Sequence, residues 1–283
     1  MDVGDALLGS PKQWKDFVAR NAGLVGKLGE LNKAFETLLN RRWRSSGALD
    51  EFIFISGHQA VDDFIEIFVL CGNAEGLGAF KLLRPLFERV VTTRFLDEHP
   101  EEFHNFWDYY WIDQHKLAVA LEEMMGPDIV DKPSRDEIEQ NYNAVKDRYR
   151  VTVCKECGTS RPAISWTPKD IVSMAKHVKM SVFLLPAYYV PLQQSHTKVS
   201  ATLDRITERA DGTLVPKERQ DPARADQALC YAHALLIRML EVQTRHFKLD
   251  AAIVEGLRAT FEEVWNGRDL GPNPGPLVAH RDF

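Results

Sequence analysis

The residues of this chain best placed to do chemistry are charged groups set among apolar ones. Arg84 and Glu88 stand one helical turn apart beside Phe80, Val91 and Phe95, the spacing of a semi-buried ion pair. Arg94 shares a helical face with Leu83 and Phe87, where an arginine needs a partner. His196 sits near Tyr188, Tyr189, Ser195 and Thr197, in a segment whose apolar residues step by three and four. An arginine on a phosphate and a histidine moving protons would suit acid–base work on a phosphodiester. His196, Arg84, Glu88 and Arg94 are therefore the candidate catalytic residues, and Arg84, Glu88, Tyr110, Tyr189 and His196 the candidate ligand-binding set. The ordinary alternative is a hydrogen-bonded core histidine and ion pairs that only hold helices together.

Cys154-Lys-Glu-Cys157-Gly offers a different chemistry. Two thiolates on a tight turn are half of a tetrahedral zinc site, so Cys154 and Cys157 are the candidate metal ligands and structural zinc the candidate cofactor. No second pair with ligand spacing follows; His177 or the same turn of a second subunit would have to complete it. Free surface thiols are the competing account. His58, Asp62 and Glu66 fall at successive i,i+4 positions, a stripe that suits a metal or acid–base site but more often a solvated helix face. Glu101-x-x-His104 has di-iron spacing but occurs once, where such sites need it on two helices.

Helices must position nearly all of these groups. Capping signals at Ser10-Pro11, Ser134-Arg135-Asp136-Glu137, Thr167-Pro168, Asp221-Pro222 and Asp250 mark helix starts. Glycines 23, 26 and 29 predict a break in the first helix, Pro85 a bend in the third, and Pro186 and Pro191 interruptions of the His196 segment. The sequence reads as organised around residues 77–125, with a corner at Glu98-His99-Pro100. Beyond it Phe103, Trp107, Tyr110, Gln114, Leu117, Leu121 and Met124 form a three-four seam. The predicted fold is all-α, an elongated multi-helix bundle with a small Cys-containing β-turn insertion near 151–165. It is read as a single helical domain over 1–267 with a family-like core at about 50–205. A polar surface loop covers 207–220, and a flexible Pro/Gly tail 268–283.

Composition narrows the functions. At 45% hydrophobic and 27% charged, the chain is ordinary for a globular protein. A net charge of −6 and a pI near 5.9 argue against a broad DNA-binding surface, while leaving room for a local basic patch. No secretory signal or membrane span is read, and two isolated cysteines, Cys71 and Cys230, point to a reducing compartment, so the expectation is cytoplasmic.

Three stretches together resemble a family of uncharacterised bacterial helical proteins, domain-of-unknown-function family 5677. They are LLRPLFE at 82–88, EEFHNFWDYYWIDQHK at 101–116 and QSHTKVSATL at 194–203, with Ser165-Trp166-Thr167-Pro168 as a fourth likeness. The resemblance covers roughly 50–205, implies a helical bundle, and marks Arg84, Glu88 and His196; the Cys pair departs from it. Arg94-x4-His99 also fits the arginine–histidine pattern of HEPN ribonucleases, although Pro100 puts that histidine at a helix corner. The favoured reading is a helical binding or sensing module, with an oligomer, a dimer, expected, recognising a small ligand, nucleotide or partner. The alternatives are a metal-independent HEPN-type ribonuclease acting on RNA, a toxin or defence effector, and a structural protein without chemistry.

Overall fold

The computed structural model describes residues 11–154, 156–195, 202, 205–217, 220–268 and 270. These residues are mostly helical, with two small hairpins, and fold as two compact units. The larger unit combines residues 1–97 with 171–283; the smaller is residues 98–170.

The larger unit contains α1 (Pro11–Arg20), α2 (Ala22–Leu38), α3 (Ala48–Gly72) and α4 (Gly76–Glu98), whose last residue falls to the smaller unit. After residue 170 it continues with α7 (Ile171–His177), a π-helical turn (Leu184–Tyr189), α8 (Val190–Ser195), α9 (Pro222–His246) and α10 (Ala251–Trp265). The helix at the centre is α9, not the 77–125 pair. It is buried without interruption from Ala225 to Ile237, and α3 is its most extensive neighbour. Alanines 225, 228, 232 and 234 let other helices approach closely, and buried polar side chains of α9 bond to neighbouring elements, with Gln243 Oε1 left without a partner among the described residues. Asp226 accepts from Asn21 Nδ2 at 2.9 Å and Arg20 Nε at 3.1 Å, His233 Nδ1 accepts from Trp265 Nε1 at 3.0 Å, and Gln243 donates to the Ile53 carbonyl. That last bond explains Gly57: a Cβ there would lie 2.6 Å from Gln243 Nε2.

Several local expectations change. The first helix breaks at Asn21, before the glycines. The 132–145 helix starts three residues early, because Asp131 rather than Ser134 caps it, accepting from the Ser134 amide at 3.0 Å. Asp221 and Asp250 do cap α9 and α10. Pro85 lies inside α4 on its exposed side. The two prolines of the His196 segment resolve it into the π-helical turn and α8, which bury Leu184, Pro186, Ala187 and Pro191. Val182, Leu185 and Tyr189, read as seam positions, are instead exposed. The stretch read as a loop carries a second hairpin, β3 (Ile206–Glu208) with β4 (Leu214–Pro216), turning through Gly212.

The smaller unit holds α5 (Phe103–Met125), α6 (Lys132–Val145) and a hairpin of β1 (Arg150–Thr152) with β2 (Ser160–Pro162), the predicted Cys-containing insertion. Pro100 opens a 3-10 turn ahead of α5. Its core is Tyr109, Ile112, Val145 and Tyr149 with Trp111, Tyr142 and Trp166 against it. The Tyr109 hydroxyl donates to the Ala163 carbonyl at 3.0 Å, and that of Tyr149 to Asn105 at 2.8 Å. The buried face of α5 is thus not the predicted seam: Trp107, Tyr110, Leu117 and Met124 are exposed. The hairpin packs on Tyr109, and that contact selects the face.

Candidate anion-binding site

Of the predicted site residues, Arg84 and Glu88 do meet. Arg84 Nε donates to Glu88 Oε1 at 2.7 Å, and the guanidinium lies 4.9 Å from the ring centre of Tyr188. The pair is half-exposed, with the Glu88 side chain 38% accessible, so it lacks the enclosure of a site. Tyr189, which follows Tyr188 in sequence, is exposed, and Tyr110 is exposed in the smaller unit. His196 lies outside the described residues, so its convergence with Arg84 and Glu88 is not described either. Arg94 does not join them.

Arg94 opens instead onto a cavity of about 1150 Å³ in the larger unit. Seven of its fifteen lining residues are lysine or arginine and two are glutamate, in a chain of net charge −6. Three of the arginines, one each from α4, α9 and α10, share one carboxylate. Glu241 accepts from Arg258 Nη2 at 2.7 Å and Arg238 Nη1 at 3.0 Å, with Arg94 Nη1 at 3.8 Å. Three guanidiniums gathered around one carboxylate concentrate positive charge in a partly desolvated place, where charge acts on anions most strongly. Arg245 is matched separately by Asp97, at 2.5 Å. The lysines, Lys176, Lys179 and Lys248, lie at or beyond the ends of α7 and α9, and none is in a salt bridge among the described residues. This is what a phosphate-binding site requires: preset forks of guanidinium and mobile ammonium groups.

Beside the cavity, His246 bridges two carboxylates, Nδ1 to Asp97 at 2.7 Å and Nε2 to Asp50 at 2.9 Å. The hydrogen bond to Asp97 holds its pKa above the usual value despite burial. Asp97 lies below its ordinary range because hydrogen bonds from His246 and Arg245 outweigh the opposing effect of burial. With both ring nitrogens bound to carboxylates, His246 ties α3, α4 and α9 together and has no nitrogen left for proton transfer.

The remaining candidates stand apart. His58 and Asp62 line a cavity of about 260 Å³ with Asn32 and Glu36 of α2, and His58 meets the Phe54 ring edge-on. Arg94 and His99 belong to different units. His104 contacts Arg148 and Asp108 in the smaller unit. Cys154 and Cys157 are free thiols at the hairpin turn, and among the described residues no group of three or more His, Cys, Asp or Glu could hold a metal ion. Hydrogen bonding with the Thr159 hydroxyl, at 2.9 Å, brings Cys157 down to about 7. Sequence reasoning singled out Arg94 but missed Arg238, Glu241, Lys248 and Arg258. The available signal was the spacing of Arg238, Glu241 and Arg245 at steps of three and four, which reads equally well as a solvated helix face.

Fold and cavity together define an all-α protein with a basic cavity built from four of its helices and the loops that follow two of them. The chain belongs to a family of unknown function, DUF5677, whose family model matches residues 58–213, more than half of it. No curated protein and no solved structure matches the chain. The matched region includes Arg94, Lys176 and Lys179, whereas Arg238, Glu241, Lys248 and Arg258 lie beyond it. Among the described residues, no helix is long and apolar enough to cross a membrane.

Proposed function

We propose that this protein is a helical binding module whose basic cavity takes a small phosphate-bearing ligand. The observation that carries the reading is the cation excess around Glu241: seven lysines and arginines line the cavity of an acidic chain. Its volume, about 1150 Å³, is at or beyond the top of the roughly 300–1,000 Å³ usual for small-molecule sites, so a nucleotide-sized ligand fits. Calorimetric titration with nucleotides and inorganic phosphate, repeated over a range of salt concentrations, tests it. Binding should weaken steeply with salt, and Arg258→Glu, a change on a half-exposed side chain, should weaken it at least tenfold. A wild-type protein that binds neither probe at millimolar concentration removes the reading.

The ribonuclease reading keeps one supporting observation, that Arg94 is part of a site suited to a phosphodiester. Against it, the described lining residues include no histidine, and the nearby His246 is engaged on both nitrogens. RNA cleaved by the wild type and left intact by Arg94→Ala would favour it over binding alone.

A further inference from the structure

We infer that Cys154 and Cys157 are a reactive dithiol that exchanges with small disulfides, Cys157 attacking and Cys154 resolving. The four cysteines of the chain are of two kinds. Cys71 and Cys230 are fully buried, and burial pushes both thiols far above their ordinary value, so neither is a nucleophile at neutral pH. Cys157 is exposed and Cys154 half-buried, and both lie on the turn between β1 and β2.

The hairpin holds these two sulfurs together. The Thr159 carbonyl accepts from the Val153 amide at 2.8 Å and the Cys154 amide at 3.2 Å, and the Cys154 carbonyl accepts from the Gly158 amide at 3.1 Å. Gly158 supplies the left-handed backbone, φ +71°, that returns the chain to β2. A turn closed in this way keeps the Cα atoms of residues i and i+3 less than about 7 Å apart, the separation a disulfide spans. The Tyr109 hydroxyl on the Ala163 carbonyl gives the hairpin a fixed base. The Cys157 sulfur is also prepared for attack, sharing hydrogen bonds with the Thr159 hydroxyl, at 2.9 Å, and with the Cys154 side chain. These bonds favour the thiolate and hold Cys157 at about 7, where roughly half is ionised at neutral pH. A thiol attacks disulfides fastest when its value lies near the ambient pH.

The exchange balances within these two residues and one small disulfide, R–S–S–R. The Cys157 thiolate attacks one sulfur, forming a Cys157–S–S–R bond and releasing a thiolate that takes up a proton from water. Cys154 then gives its proton to water and attacks Cys157 Sγ, displacing the second R thiolate and closing the Cys154–Cys157 disulfide. Two electrons and two protons pass from the dithiol to the small disulfide, which leaves as two thiols. Two thiolates on such a turn are equally half of a zinc site, and the experiment separates these roles.

The test treats the reduced full chain with an aromatic disulfide whose released thiol is coloured, followed by absorbance and by intact mass. Wild type should release two coloured thiols per chain, end two hydrogens lighter and keep no adduct. Cys154→Ser should stop with one adduct, on Cys157. Cys157→Ser should react at least about threefold more slowly at pH 7, since the gain in thiolate outweighs its lower intrinsic reactivity. The wild-type rate should rise through a midpoint near pH 7, and Thr159→Val, which removes a positioning hydroxyl, should move that midpoint upward. Glutathione disulfide should produce the same loss of two hydrogens. Two adducts kept on wild type would show independent thiols and overturn the pairing. Equal rates in the two serine variants would overturn Cys157 as the attacking thiol. Stoichiometric zinc in protein purified without added metal would make the pair a metal site and overturn the exchange role.

Discussion

Two arginines on one helix face opposite situations. Arg84 pairs with Glu88 on its own helix, one cation to one anion, half in solvent. Arg94, ten residues and about 15 Å further along α4, shares Glu241 of α9 with Arg238 and Arg258. The first pair is neutral and local, so it asks nothing of a ligand. The second gathers cations from three helices around one carboxylate at a basic cavity, so it concentrates positive charge where an incoming anion can meet it. The difference teaches that an arginine's candidacy for function turns on whether it sits with one local partner or among other cations at a cavity.

The largest test of this contrast is to remove each carboxylate. Glu241 is mostly enclosed, with its side chain 12% accessible, and losing it leaves three guanidiniums facing one another. Glu241→Ala should destabilise the protein by about 2–4 kcal/mol, below the full penalty of a broken buried pair because Arg258 reaches solvent. Inorganic phosphate should restore more stability to this variant than it adds to wild type, by occupying the vacated place. Glu88→Ala should cost less than about 1 kcal/mol. Denaturant melts of the two variants check both figures, and equal costs would break the comparison.

A second test uses the C-terminal end of the same helix, where Asp97 meets His246. A raised histidine contributes stability that is fully present below its unfolded value of 6.5 and is lost as pH climbs through the higher folded value. The lowered Asp97 and Asp50 contribute above 3.8 and lose it as pH falls through their folded values. The cluster therefore supports the fold most between those limits. His246→Gln should cost about 1–2 kcal/mol at pH 5.5 and distinctly less at pH 9. His233, on the same helix, runs the other way: burial pushes it down to about 4, so its contribution holds above 6.5 and fades as pH falls toward 4. Histidine proton resonances followed through a pH titration should separate the two, and a His246 that titrates below 6.5 would contradict the ion cluster.

How far these features were legible follows from their range in sequence. The helical class, Asp221 and Asp250 as caps, the Cys hairpin and the Arg84–Glu88 pair each rest on residues within a few positions of one another. What could not be read depends on distant partners. The buried face of α5 was chosen by a hairpin some fifty residues on, through Tyr109 and Ala163, so an even three-four seam on the other face misled. The helix opened by Asp221 was legible, but not its central place, because its alanines and polar residues look solvent-facing until Asn21, Ile53 and Trp265 are brought to them. The cavity is the extreme case: its cations span Arg94 to Arg258, and Lys179 and Lys248 occupy positions where sequence rules look for glycine.

The smallest expected effect is also the sharpest control. Arg84 has two local contacts, the Glu88 carboxylate and the Tyr188 ring. A half-exposed helical ion pair is worth about 0.3–0.5 kcal/mol, and a cation over an aromatic face at a similar site about 0.5–1 kcal/mol. Arg84→Ala should therefore cost roughly 1 kcal/mol and Glu88→Ala about half as much, with the excess supplied by Tyr188. The double variant should cost little more than Arg84→Ala, since removing Arg84 already removes both contacts. None of these changes should alter phosphate binding by more than about twofold, because the pair contributes no net charge to the cavity. Measured alongside Arg94→Ala, which should weaken phosphate binding at least tenfold, this isolates charge imbalance as the cause. If Arg84→Ala weakened binding as much as Arg94→Ala, the ligand would have to reach both ends of α4, and the local pair would belong to the site after all.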